Sequence, residues 1–162
     1  MKPEIWYDWD NNKNQSVFEN NFYNLHAPDI KEDTTMDANM KKRNELLAKT
    51  VIKGLESRNM SGYYAQDKEA ALKQALELIP NGSTIAMGGC MSAHEIGLVK
   101  ALQDGEYNYI DRAKLEPREG LMAAYDADFF LSSANAVTDD GVLVNIDGNS
   151  NRVSCIAQGP KK

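Results

Sequence analysis

Apolar positions fall into a regular rhythm from Met36 onward. Over MDANMKKRNELLAKTVIKGLESRNM, Met40, Leu47, Val51 and Leu55 recur at helical spacing with charges opposite them, which predicts an amphipathic helix. GYYA is a short strand candidate. Asp67 then stands as an N-cap for KEAALKQALELI, whose apolar face is Leu72, Ala75, Leu76 and Ile79, and PNG ends that helix. STIAM reads as a buried strand. It passes through the tight loop GGCM to Ser92 and Glu95, an S-x-x-E capping box that opens a helix through Leu102. After DG comes the strand YNYI, leading into Asp111-Arg112. Pro117 suits the first turn of a helix running to about Tyr125. DFFLSS is a further strand. NAV and VLVNI flank TDDG as a hairpin, because Asp-Gly supplies the turn. DGNSN makes a second turn, and RVSCIA is predicted as a final strand.

Helices alternating with short apolar strands imply an α/β fold, with a mostly parallel sheet covered on both faces and a late antiparallel hairpin. Residues 1 to about 35 lack this periodicity and are rich in Asn and Asp. They are expected to form a poorly ordered N-terminal arm. The alternative is a docked element held by Trp6, Trp9, Phe18, Phe22 and Tyr23.

The 162 residues suffice for one domain with its own core. A net charge of -6 and the lack of a basic run argue against a nucleic-acid partner. No apolar run approaches the roughly 18 residues of a membrane span, and the N-terminus lacks a signal-peptide core, so a cytoplasmic protein is expected. Cys90 and Cys155 lie far apart and read as reduced thiols.

Two stretches carry candidate chemistry. In STIAMGGCMSAHE, Gly88 and Gly89 let a ligand approach backbone N–H groups, and the helix start at Ser92 offers unpaired donors to a phosphate or carboxylate. The alternative is a tight turn that binds nothing. Cys90 lies in this loop. A nucleophilic role would need a His partner, and only His26 and His94 exist, so a small semi-buried side chain is the better reading. The second stretch, SSANAVTDDGVLVNIDGNSNRV, packs four Asn and three Asp into 22 residues. Asp147, Asn149 and Asn151 have the D-x-N-x-N spacing of a calcium loop. Arg152 occupies the position that needs Gly and Gln158 the one that needs Glu, so no metal site is expected. The polar cluster is expected at one rim of the sheet. There Asn135, Thr138, Asn145 and Asn151 would line a ligand site, and Arg152 would clamp a carboxylate or phosphate. Asp140 and Asp147 are the candidate general bases. Turn chemistry alone would account for about half of these residues, though not for Asn145, which interrupts an apolar strand.

LELIPNGSTIAMGGCMSAHEIGL, YNYIDR and ADFFLSSANAVTDDGVLVNIDGNSNRVSCIAQGPKK resemble the LUD domain of lactate utilisation proteins, the LutC-like family, over about Met36 to Lys162. The resemblance implies a Rossmann-like three-layer α/β/α domain, similar in fold to ribose-5-phosphate isomerase, glucosamine-phosphate deaminase and CoA transferases. It also implies that the glycine loop and the Asn/Asp hairpin face each other across a pocket. The implied role is that of a bacterial subunit or accessory of L-lactate oxidation to pyruvate, binding a small anionic metabolite beside iron–sulfur partner proteins. The alternatives are an independent isomerase- or CoA-transferase-like enzyme and a non-catalytic interaction module. With two cysteines the chain is expected to carry no cofactor, because a four-iron cluster takes four thiolates and would belong to a partner subunit. Relatives usually have Ser where this chain has Cys90, are longer between Arg112 and Asp126, and continue beyond GPKK. A C-terminally incomplete domain is therefore expected, with an exposed sheet edge at residues 153–157 and a tendency to form homo-oligomers.

Overall fold

Three parallel strands form the centre of the fold, in the order β4-β3-β5: β3 (Thr84–Met87) lies between β4 (Asn108–Tyr109) and β5 (Phe129–Leu131). The computed structural model describes residues 4–6 and 38–160, the first of these by their backbone. Glu4–Trp6 is β1 and pairs in parallel with β2 (Ser61–Tyr63). The rest of the arm, with Trp9, Phe18, Phe22, Tyr23 and His26, lies outside the described residues. The predicted hairpin is present: β6 (Ala136–Val137) and β7 (Leu143–Val144) are antiparallel, and Gly141 takes the positive φ of 79°.

Successive side chains of a strand point to opposite faces, and β3 shows what this achieves. Ile85, fully buried, joins Ala75, Ile79, Ala93, Leu98 and Leu102 on one face. These come from α2 (Lys68–Leu78), α3 (Met91–Glu95) and α4 (Leu98–Asp104), with Ile79 just beyond α2. Ala86 points the other way, to Ala124 of α5 (Pro117–Tyr125), Ala127 and Cys155 of α6 (Asn151–Gln158). Helices therefore cover both faces of the parallel sheet. α1 (Ala38–Ser57) buries Asn44, Ala48, Val51 and Leu55, while Met40 is exposed. It meets the hairpin turn so closely that a Cβ on Gly141 would lie 2.6 Å from the Leu55 nitrogen.

Local signals hold where the donor and its partner are close in sequence. The Asp67 carboxylate accepts the Ala70 N–H at 2.8 Å, and α5 starts at Pro117 as expected. Two expectations are corrected. Ser92 does not cap a helix: α3 begins at Met91 with Cys90 at its cap, and Glu95 pairs with Lys68 at 3.6 Å. Gly97, at φ 78°, then separates α3 from α4. RVSCIA is helix α6, so the strand edge expected at 153–157 does not exist. As a strand it would put Val153, Cys155 and Ala157 on one face. As a helix it brings Arg152 and Cys155 to the same side, which buries Cys155 to 3 % exposure. Asp147 caps the new helix by accepting the N–H groups of Arg152 at 2.6 Å and Val153 at 3.1 Å.

Candidate functional site

At the carboxyl end of the central sheet, β3 runs into Gly88 and Gly89, and β4 into Asp111 and Arg112. A cleft of about 510 Å³ opens there. Met87, Gly88 and Gly89 line one side. Arg112, Ala113 and Leu115 line another, together with Pro117 and Gly120 of α5. Asp147, Asn151 and Arg152, at the entry to α6, complete the wall. Ligands of open parallel sheets bind at this end of the strands.

Arg152 organises its side of the cleft. Its Nη1 donates to the Ser133 carbonyl and, at 3.2 Å, to Asn145 Oδ1. Its Nη2 donates to Asn135 Oδ1 at 2.6 Å and to the Ile146 carbonyl at 2.9 Å. Asn135 Oδ1 also accepts the Ile146 N–H at 2.8 Å. One guanidinium thus ties α6 to the segment after β5 and to the end of the hairpin. Its stem presses on the glycine loop, where a Cβ on Gly88 would stand 2.9 Å from Arg152 Cγ and 3.0 Å from Phe130 Cζ. Glycine is required at Gly88 by this close approach. Nothing lies within 4 Å of the corresponding position on Gly89. Asn145 interrupts VLVNI because its amide oxygen is one of the acceptors that hold Arg152.

Asp147 accepts N–H groups from Asn149, at 3.2 Å, as well as from Arg152 and Val153. The Val153 bond above all, with those of Arg152 and Asn149 and the charge of Arg152, holds its carboxyl below the ordinary aspartate range against partial desolvation. Asp140 is also held low, chiefly by the Thr138 hydroxyl and further by Arg58, whose Nη2 lies 3.2 Å away. Asp140 and Thr138 stand at the hairpin turn against α1 and are not on the cleft wall.

Of the residues singled out in the sequence, Gly88, Gly89, Asn151 and Arg152 line the cleft, as does the candidate base Asp147. Asn135 and Asn145 join it through Arg152. Cys90 lies beside it, its Sγ accepting the Ser133 hydroxyl at 3.4 Å. Ser92 sits inside α3, and Thr138 and Asp140 belong to the turn.

Arg112 was not among the residues singled out. Its stem crosses buried Gly120, where a Cβ would meet its Cβ, Cγ and Nε at 3.6–3.7 Å. Its hydrogen bond is a long one, from Nη1 to the Met87 carbonyl at 3.4 Å, and among the described residues it has no ion-pair partner. Its place in the sequence, two residues past YNYI at a strand's carboxyl end, was the available signal. Its charge also opposes the effect of burial, which raises the Cys155 thiol above its ordinary range. Among the described residues, no group of three or more His, Cys, Asp or Glu side chains is placed to hold a metal ion. No helix among them is long and apolar enough to cross a membrane.

The family model of the LUD domain matches residues 48–162, which include every strand and helix around the cleft. The chain belongs to the LUD domain family. This LUD domain is thereby related to lactate utilisation proteins. No curated protein and no solved structure matches the chain.

Proposed function

We propose that this LUD domain chain is a cytoplasmic subunit or accessory of bacterial L-lactate oxidation to pyruvate, and that its cleft binds a small anionic metabolite. The observation that carries the reading is the charge of the cleft. Two guanidiniums and one carboxylate line it, in a chain of net charge -6. Arg152 and Asp147 lie side by side and are both engaged with protein groups, so the remaining positive charge is that of Arg112. An anion placed there also meets the open backbone at Gly89. Lactate and pyruvate are carboxylates, and a guanidinium offers them two parallel hydrogen bonds. Any iron–sulfur centre in the oxidation belongs to a partner subunit, since this chain has two cysteines.

An isomerase- or transferase-like activity draws less support. It would need a carboxylate within reach of a substrate, but Asp140 stands at the hairpin turn, off the cleft wall, and the Asp147 carboxylate is engaged by the N–H groups of Asn149, Arg152 and Val153. Calorimetric titration of the full chain with L-lactate and pyruvate tests the reading. Saturable binding that weakens as salt is raised is expected. An absence of saturable binding by any small anion, at concentrations up to tens of millimolar, would contradict it.

A further inference from the structure

The polar groups left open on the cleft wall are donors, and the side-chain acceptors beside them are already engaged. Arg112 commits one guanidinium N–H, in its long bond to the Met87 carbonyl, and leaves the others to a ligand. The Gly89 carbonyl accepts the Ser133 N–H at 3.3 Å, while the Gly89 N–H has no partner among the described residues. Asn151 turns its Oδ1 back onto the Arg152 N–H at 3.1 Å, so its amide NH2 is the end left free, again without an acceptor among the described residues. All three residues line the cleft. The carboxylate of this wall is that of Asp147. One of its oxygens takes the N–H groups of Arg152 and Val153, and the other takes that of Asn149.

Resting on the anion-binding reading above, we infer that the cleft selects 2-oxo acids over 2-hydroxy acids. Arg112 binds the carboxylate, and the Asn151 amide and the Gly89 N–H serve the oxygen on the second carbon. A keto oxygen only accepts, and two donors can satisfy it. A hydroxyl accepts as well, but its proton needs an acceptor, and the Asp147 oxygens are occupied. The cleft is open to solvent, so water can take that proton. The preference is therefore the size of one net hydrogen bond, a factor of about 2 to 13, rather than that of a buried group left unpaired. The chain thus favours the product of lactate oxidation over its substrate.

Calorimetric titration of the full chain with pyruvate, L-lactate and propionate, which has no oxygen on its second carbon, tests this. Pyruvate is expected to bind at least about threefold more tightly than L-lactate, with propionate the weakest. In Asn151→Ala the two oxygenated acids are expected to come within about twofold of each other, because one of the two donors is gone. That position is exposed, and Asp147 still accepts the Arg152 N–H. The series on the unaltered chain stands whether or not the variant folds. L-Lactate binding as tightly as pyruvate would overturn this inference and leave the anion-binding reading in place, and so would a gap that Asn151→Ala leaves unchanged. No binding by any of the three acids would overturn both.

Discussion

The apolar cluster around Ile85 and Leu102 and the polar knot around Arg152 lie in the same domain but hold it by different means. The cluster works by burial, and both of those side chains are fully enclosed. Burial is strong and has little directional preference. It fixes that α2, α3 and α4 lie on one face of the sheet but not where a given polar group stands. The knot buries little. It consists of hydrogen bonds from one guanidinium to Ser133, Asn135, Asn145 and Ile146, with Asp147 capping the helix that bears the arginine. Hydrogen bonds are directional, so the knot sets the positions of Gly88, Asp147 and Asn151 on the cleft wall. Stability is concentrated in the first region, and the shape of the site in the second.

The largest expected effect comes from breaking the cluster. Leu102→Ala should cost about 2–5 kcal/mol, as a large-to-small change at a fully buried site, read from denaturant midpoints. A loss under about 1 kcal/mol would mean that the cluster is loosely packed. Breaking the knot comes next. Arg152→Lys leaves an ammonium to serve acceptors that lie in several directions, and a loss of about 1.5–3 kcal/mol in total is expected for a charged group surrendering such bonds. Stability equal to that of the unaltered chain would show that the knot does not hold the hairpin.

These two regions were unequally legible in the sequence. The cluster was read well, because Leu72, Ala75, Leu76 and Ile79 recur at helical spacing and STIAM is a continuous apolar run. The Asp67 cap, the start at Pro117 and the Gly141 turn were legible for the same reason, each depending on residues within a few positions. The knot is legible as a concentration of polar residues, but its purpose is not. Arg152 reads as an anion clamp until its acceptors, from 6 to 19 residues earlier in the chain, come into contact with it. RVSCIA favours a strand by its β-branched residues, and that preference is overridden by the Asp147 cap and the burial of Cys155. Arg112 is not legible as a site residue because the cleft draws on three separated segments, and no local pattern joins residues 87–89, 112–120 and 147–152.

The two regions should also respond differently to acid. The native-state pKa values of Asp147 and Asp140 are depressed, so their contribution is complete above the unfolded-state value near about 3.9. It is lost as pH falls through the lower folded-state values. The stability difference between the unaltered chain and Asp147→Asn should therefore be widest above about pH 5 and close in stronger acid. The Leu102→Ala difference should not follow this course, since no titrating group is changed. Urea midpoints across that pH range check the contrast, and an Asp147→Asn difference that ignores pH would remove the carboxylate from the account.

The most direct test of the account compares the two arginines of the cleft in paired measurements of melting temperature and carboxylate affinity. Arg112→Gln should lose at least tenfold in affinity for a monocarboxylate while stability changes by less than about 1 kcal/mol. Arg152→Lys should show a clear fall in melting temperature. If Arg112→Gln binds as the unaltered chain does, while Arg152→Lys melts normally and loses the ligand, then Arg152 meets the anion and this division of roles is wrong.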